Sequence, residues 1–412
     1  MRSRSSVRAA LGATFVLSLV LSACAPARRG PGWVPVALDP PAGPGSSVPV
    51  VAAGAGDIAY LAWIEPVDST AHRLVVSRLE DLRWSTPAVI AAGESLFVNA
   101  ADTPALLALG RDTLVACWPW RMPGGDWPIE LRVSRSTDGG RHWGAPVRVH
   151  RDRSPVEHGF ASLAATPRGV SIAWLDARAG LDAAGQALPE GSYAMSLRAT
   201  TMRADGRCDP ETLLDARVCD CCPTAQIATL GGSLLAFRDR DPDEVRDIAL
   251  LRSAAGSEWT GVPLERDHWR ITGCPVNGPA LTARGDEVAV AWFGLARDTA
   301  QVRLARSDDG GMVFGAPVRV DAGMPLGRAA LALLPDGDAI AGWLEQRPGG
   351  VRLMARRVPF TGEPRPADTL AVFPAAHGIG IPRLVRVGVV VLAAWTDPAG
   401  PGRVHASLLT PR

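Results

Sequence analysis

The sequence predicts an all-β protein, a β-propeller of four-stranded blades, and two observations carry that prediction. One phrase recurs, in which an apolar strand, a turn containing Gly or Asp, and a strand ending in Ala-Trp or a near equivalent follow one another. The copies stand roughly 50 residues apart, a period typical of propeller blades. The seven copies span residues 48–63, 103–118, 160–174, 224–237, 278–292, 327–343 and 381–395.

Each copy is followed by a third strand and usually by a fourth. Third strands read LRVSRS at 131–136 and VRLARS at 302–307, and fourth strands read PVRVH at 146–150 and PVRVD at 317–321. The last copy supplies only three strands, whereas residues 32–38 form an isolated strand near the start of the sequence. We expect that strand to complete the last blade and to close a ring of seven blades, because closure leaves only short sheet edges exposed.

The first 47 residues differ from the repeats. A charged start, a short apolar run and small residues before a cysteine predict a signal peptide over residues 1–23. Leu21-Ser22-Ala23-Cys24 resembles the bacterial lipobox, which implies a lipid on Cys24 and export to the cell envelope, with the outer membrane favoured; the alternative is an ordinary secretory signal with a chance cysteine. We expect a lipid anchor and flexible tether over residues 24–47, a membrane partner through that anchor, and the propeller over residues 48–412.

Two turns between third and fourth strands resemble the Asp-box pattern S-x-D-x-G-x-T-W. They run from Ser136 to Trp143 and from Ser307 to Phe314. With the segments VCDCCPTA, FRDRDPDEVRDI and GCPVNGPA, they make the chain similar to the sialidase-like (BNR/Asp-box) superfamily, in its bacterial lipoprotein branch. Relatives typically have six blades, so six is the alternative count. The resemblance implies structural roles for Asp138, Trp143, Asp309 and Phe314.

Charged side chains concentrate on one face of the predicted ring, the top face, which carries the loops between second and third strands and the connections between blades. Arginine suits bidentate capture of a carboxylate, so we expect a pocket for a glycan or another anionic ligand at the propeller axis. The alternative is a solvated rim of surface ion pairs. Arg328 also falls on this face, but the arginines chosen as ligand-binding are Arg178, Arg238, Arg246 and Arg383.

The sequence leaves open whether the protein is an enzyme. Sialidases use an arginine triad, a Tyr–Glu pair and an Asp, yet the only tyrosines here are Tyr60 and Tyr193, and neither stands where the resemblance needs it. If the protein is an enzyme, we expect a glycoside hydrolase of exo-sialidase type. The carboxylates nominated for it are Asp176, Glu157 and Asp239.

Cysteines cluster in two top-face connections. In an oxidising compartment, Cys221 or Cys222 is expected to pair with Cys274 as a disulfide. The alternative is a periplasmic metal-binding or redox-linked propeller, because thiolates select copper or zinc. Its ligands would be Cys219, Cys221, Cys222, Cys274 and His268. No other cofactor is expected.

The net charge of +1 gives no electrostatic footprint for nucleic acid, and the positive charge comes from arginine because the sequence has no Lys. The absence of Lys excludes Schiff-base chemistry and a P-loop.

Overall fold

The computed structural model describes residues 33–411, except for 126, 190–191 and 255–257. The predicted signal peptide and Cys24 lie outside the described residues. The described residues form seven antiparallel sheets, so the predicted all-β propeller of seven blades is confirmed. The helical structure in this part of the chain is a 3-10 turn at Arg178–Gly180, and no helix there is long and apolar enough to cross a membrane.

The first strand of each blade faces the axis of the ring. Neighbouring first strands contact one another in sequence around the ring, including the first and the last of them. In blade order they are β2 (Ser47–Ala53), β7 (Ala105–Ala108), β11 (His158–Thr166), β15 (Ala225–Thr229), β19 (Ala280–Arg284), β23 (Met324–Leu333) and β27 (Arg383–Val387).

The second and third strands form the middle of each blade. The second strands are β3 (Ala59–Pro66), β8 (Leu114–Arg121), β12 (Gly169–Asp176), β16 (Gly232–Arg238), β20 (Glu287–Ala296), β24 (Ala339–Arg347) and β28 (Val390–Asp397). The third strands are β4 (His72–Glu80), β9 (Ile129–Ser136), β13 (Met195–Met202), β17 (Ile248–Ser253), β21 (Thr299–Ser307), β25 (Gly350–Val358) and β29 (Arg403–Pro411).

The outer strands are the shortest on average and complete the blades. A two-residue strand, β5 (Arg83–Trp84), adds to the first blade beside its outer strand. The outer strands are β6 (Ala88–Gly93), β10 (Val147–Arg148), β14 (Thr212–Val218), β18 (Trp259–Val262), β22 (Val318–Arg319), β26 (Asp368–Phe373) and β1 (Trp33–Ala37).

The isolated strand predicted at 32–38 is present as β1. It pairs antiparallel with β29 from Trp33 opposite Pro411 to Ala37 opposite Ser407, and so supplies the outer strand of the last blade. Its importance for keeping the ring closed stays a prediction.

The hydrophobic core is divided among the interfaces between blades. Seven clusters in the described chain each join two neighbouring blades, and one of them, which contains Trp63 and Leu392, joins the first blade to the last. The aromatic residue that ends each repeated phrase supplies much of this burial, since a buried aromatic side chain removes a large apolar area from water. These residues are Trp63, Trp118, Trp174, Phe237, Trp292, Trp343 and Trp395.

Candidate functional site at the propeller axis

A cavity of about 240 Å³ lies at the axis, enclosed by residues from the first strands of all seven blades. The lining residues lie at or near the starts of these strands, where the chain passes from one blade to the next, so the cavity lies towards the predicted top face. Most of its lining residues are apolar. The polar exceptions are Thr103, Ser162, Thr224, Gln226, Arg328 and Arg383.

Arg383, at the start of β27, is one of the four arginines predicted to bind a ligand, and it lines the cavity. Its guanidinium donates hydrogen bonds to the Thr103 hydroxyl (2.6 Å) and to the Pro49 carbonyl (3.3 Å). Burial lowers the pKa of Arg383 to about 10. No carboxylate pairs with it among the described residues, so its positive charge is uncompensated by the protein.

Arg328, on β23, is the second cationic group of the cavity. It has φ of +58°, a left-handed conformation that is uncommon for a residue with a β-carbon. The register of β23 against β24 shifts on both sides of Gly327, and such a β-bulge redirects a side chain. Val48 and Phe160 have the same conformation at register shifts in β2 and β11, so this bulge recurs in the repeat.

The Arg328 side chain is partly buried and lacks the partners expected of a cation withdrawn from water. Its Nη1 atom is buried and has no hydrogen-bond partner. Burial lowers the pKa of Arg328, and the nearby thiols of Cys222 and Cys221 oppose that change only in part. The Asn277 side-chain oxygen accepts a hydrogen bond from the Arg328 backbone N–H (2.6 Å) and fixes the bulge.

Neutral polar groups form another part of the wall. The hydroxyls of Ser162 and Thr224 are 2.7 Å apart, and the Gln226 amide donates to the Ser162 carbonyl at 2.9 Å. All three residues are buried. The cavity thus combines two guanidinium groups with hydroxyl and amide groups and, in the described chain, has no Asp, Glu or Tyr in its lining.

The other three predicted ligand-binding arginines lie outside this lining. Arg238 is 1% exposed and donates to the backbone carbonyls of Asn277, Arg246 and Phe293, which ties the fourth blade to the fifth. Arg246 is 2% exposed and binds Glu244 and the Cys219 sulfur.

Arg178 is occupied as well. It pairs with Asp176 at 2.7 Å and with Glu211 at 2.5 Å. The expectation that Arg178, Arg238 and Arg246 gather at the axis is therefore not met, because carbonyls, carboxylates and a sulfur already satisfy their donors.

Asp176, the first nominated catalytic carboxylate, is fully buried at the end of β12, the second strand of its blade. It accepts hydrogen bonds from the Trp174 indole (2.9 Å) and from Arg178. The same indole-to-carboxylate contact joins Trp63 to Glu65 and Trp343 to Glu345. A Trp-x-acid pattern therefore recurs at equivalent positions in three blades, and each copy forms the same structural hydrogen bond. The pattern itself is visible in the sequence.

Glu157, the second nominated carboxylate, lies near a buried acid that sequence reasoning missed. Burial, reinforced by the charges of Asp102 and Asp220, raises the pKa of Glu157 to about 8. Burial raises the pKa of Asp102 to about 7, although its carboxylate accepts the Phe160 N–H at 2.6 Å. Asp102 stands between the cavity residues Ala101 and Thr103 in the chain, but it does not line the cavity.

Asp239, the third nominated carboxylate, has neighbours different from those of Asp176 and Glu157. Burial raises its pKa, and it accepts the backbone N–H of Arg240 at 2.7 Å. The three nominated carboxylates thus have different partners, and none of them lines the cavity.

The two Asp-box-like turns are closed by their own aspartates. Asp138 accepts the His142 N–H at 3.0 Å, and Asp309 accepts the N–H groups of Met312 and Val313 at 2.9 and 3.1 Å. The backbone contact with His142 is the main cause of the lowered pKa of Asp138. Trp143 and Phe314 pack against the cores between blades one and two and between blades four and five.

The tyrosines also lie outside the cavity lining. Tyr60 is buried and its hydroxyl donates to the Arg111 carbonyl, while the ring of Tyr193 packs closely over Gly180.

The cysteines divide into a cluster and scattered residues. The sulfurs of Cys219, Cys221 and Cys222 lie within 4.0 Å of one another, and contacts with Cys221, Cys222 and Arg246 lower the pKa of the Cys219 thiol. Cys274 and His268 are exposed and outside this group, so the five-ligand set predicted from the sequence is not assembled. All six cysteines of the described chain are free, and the predicted disulfide to Cys274 is not formed.

The architecture defines a seven-bladed β-propeller with an axial cavity. Two solved structures share this fold. A protein of unknown function from Dyadobacter fermentans matches with a TM-score of 0.55 at 18% identity, over 93% of this chain and 100% of that chain. The intramolecular trans-sialidase from Ruminococcus gnavus, solved with oseltamivir carboxylate, matches with a TM-score of 0.51 at 10% identity, over 77% of this chain and 97% of that chain.

At these identities the likeness shows the fold alone. No family model matches the chain, and no curated protein matches it.

Proposed function

We propose that this propeller binds a small anionic ligand, such as an acidic monosaccharide or the acidic end of a glycan, in its axial cavity. The observation that carries the proposal is the pair Arg328 and Arg383, which line a small cavity without a carboxylate partner among the described residues.

Energetics support an anion as the occupant. Removing a charge from water is costly unless it is paired and hydrogen-bonded, so the chain would gain little stability by holding two partly buried cations without carboxylate partners at its axis. A carboxylate offers acceptors that match the guanidinium fork, and the bond is roughly twice as strong as a neutral one. Sugar hydroxyls would find partners in Ser162, Thr224 and Gln226.

The dimensions favour a small ligand. A volume of about 240 Å³ falls below the roughly 300–1,000 Å³ of pockets for drug-sized molecules. A single sugar acid, or the terminal residue of a longer glycan, fits that limit better than an internal segment of a chain.

Binding is favoured over hydrolysis as the primary activity. Glycoside hydrolysis usually needs two carboxyl groups across the scissile bond, or a tyrosine nucleophile in sialidases. The described lining offers neither, and Asp176, Glu157 and Asp239 are held elsewhere.

The test is calorimetric titration of N-acetylneuraminic acid, glucuronic acid and galacturonic acid, with glucose and N-acetylglucosamine as neutral comparisons. Arg383→Gln is expected to weaken binding of the acids by about 10-fold or more, because a hydrogen bond to a charged group contributes about 1.5–3 kcal/mol. Arg386→Gln, at an exposed arginine of the same strand, is the matched control. Equal weakening by both variants, or binding of the acids by neither the wild type nor the variants, would refute the proposal.

We also propose that the propeller is held on the cell envelope, facing the periplasm or the outside, by a lipid on Cys24. The support is the lipobox-like Leu21-Ser22-Ala23-Cys24 and the Pro- and Gly-rich stretch that follows it. Labelled palmitate should enter the wild-type chain and not a Cys24→Ala variant; equal labelling of both would refute the anchor.

A further inference from the structure

Three thiols converge in the connection between the third and fourth blades, next to the axial cavity. The sulfur of Cys219 lies 3.5 Å from that of Cys222 and 3.9 Å from that of Cys221, and the remaining pair is 4.0 Å apart. Cys219 and Cys222 are buried, while Cys221 is partly exposed. The residues that follow, Pro223 and Thr224, line the cavity.

The connection that carries these thiols is fixed by its neighbours. The Asp220 side chain accepts the Met195 N–H at 2.8 Å and pairs with Arg240 at 2.7 Å. The Cys219 N–H donates to the Arg238 carbonyl at 3.0 Å. Sites held by such supporting contacts keep their ligand geometry with little cost on binding.

Two hydrogen-bond donors contact the sulfur atoms. The Asn277 backbone N–H points to the Cys222 sulfur at 3.3 Å, and the Arg246 guanidinium points to the Cys219 sulfur at 3.5 Å. Hydrogen bonds to sulfur are the outer contacts that orient and tune thiolate ligands of metals. They stabilise thiolate over thiol, the form in which cysteine binds a metal.

We propose that Cys219, Cys221 and Cys222 form a binding site for a single copper(I) ion in trigonal thiolate coordination. An ion at the centre of the sulfur triangle lies about 2.2 Å from each sulfur, close to the 2.3 Å of a zinc–thiolate bond. Binding releases the thiol protons and involves no change of oxidation state.

Ligand number and charge favour copper(I). Structural zinc takes four protein ligands, and the group in the described chain has three, because His268 and Cys274 are exposed and outside it. Thiolates bind both copper(I) and zinc, so the number of ligands decides between the two ions. Three thiolates and one monovalent ion carry a net charge of −2, which Arg246, Arg238 and Arg328 nearby would offset.

A disulfide explains the arrangement less well. A disulfide joins two sulfurs at about 2.05 Å and would leave the third cysteine over, whereas the three separations here are nearly equal.

The experiment is an anaerobic titration of the reduced full chain with copper(I), supplied as its acetonitrile complex in competition with bicinchoninate. The wild type is expected to take up one equivalent, with about three sulfur scatterers in the copper X-ray absorption spectrum. Cys221→Ser, at the least buried of the three residues, should weaken retention at least about 10-fold, and Cys274→Ser should retain the ion as the wild type does. Thermal unfolding of each variant verifies that it is folded.

Three results would overturn the proposal. One is uptake by the wild type no greater than by a variant with all three cysteines changed to Ser. Another is equal loss in Cys274→Ser, which would place the ligands elsewhere. The third is preferential retention of zinc when both ions are offered, which would contradict the choice of metal. If the triple variant fails to fold, absence of copper uptake by the wild type replaces the first of these results.

Discussion

Individual arginines in this protein lie in two chemically different settings. Arg238 and Arg246 have carbonyl, carboxylate or sulfur acceptors within hydrogen-bonding distance. Arg328 and Arg383 have no carboxylate partner in the described chain and line the cavity. The first setting satisfies the guanidinium donors within the protein, and the second is the one in which we propose that a ligand binds.

The titration of one carboxyl group, that of Glu157, should make the stability of the folded protein depend on pH. Glu157 has a pKa of about 8 in the folded protein, against a usual value of 4.5, because of burial and the charges of Asp102 and Asp220. Between these values the folded state keeps a proton that the unfolded state releases, so stability falls as the pH rises. We expect the free energy of unfolding to drop by about 1–4 kcal/mol between pH 5 and pH 8 from this group.

The measurement is urea unfolding at several pH values between 5 and 8. Glu157→Gln removes the contribution of this group and should reduce the slope, with the remainder due to Asp102, whose pKa burial raises to about 7. Glu363→Gln, at an exposed glutamate, should leave the slope unchanged. A wild-type stability that rises with pH over this range, or an undiminished slope in Glu157→Gln, would contradict the burial that we assign to Glu157.

Residue roles were harder to predict than residue positions. Arg383 was predicted at the axis and lies there, but the sequence cannot show that Arg238 turns into the blade interface and finds three carbonyls. Arg328 reaches the cavity through a bulge, a local backbone feature without a clear sequence signature. The role of Asp176 was readable in principle, since Trp-x-acid recurs at 63–65, 174–176 and 343–345.

Whole strands, by contrast, were well predicted. The seven repeated phrases coincide with the first and second strands of the seven blades. Two apolar strands joined by a tight turn are a strong sequence signal for a β-hairpin. The cysteine connections were placed on the correct face, but their partners were not predicted, since contacts between separate connections depend on how the blades pack.

The pairing of β1 with β29 leads to a prediction about this element. Trp33 is 1% exposed and packs in the core between the last two blades, whereas Val36 on the same strand is 49% exposed. We expect Trp33→Ala to lower the free energy of unfolding by about 3–5 kcal/mol, the usual cost of removing a large buried aromatic side chain.

Val36→Ala is the control for that prediction and should change stability by less than about 0.5 kcal/mol, as exposed substitutions usually do. Chemical unfolding monitored by fluorescence and by circular dichroism gives both values. If Trp33→Ala were as mild as Val36→Ala, β1 would be dispensable and would not keep the ring closed.

At the scale of the whole molecule, the axial cavity exists only because all seven blades contribute their first strands to it. Contacts between β2 and β27 bring the two ends of the propeller together beside the cavity, and Arg383 on β27 reaches the Pro49 carbonyl of β2. A ligand held there would bind the folded ring and not the unfolded chain, and so would stabilise the protein.

The measurement that tests the central claim most directly is the affinity of the wild-type protein for a sugar acid and for its uncharged amide, compared by calorimetry at one ionic strength. The two ligands have nearly the same shape, so the comparison isolates the charge that Arg328 and Arg383 are proposed to recognise. We predict that the acid binds about 10-fold more tightly or better. Equal affinities for acid and amide would contradict the account, because a cavity lined by two unpaired arginines must distinguish them.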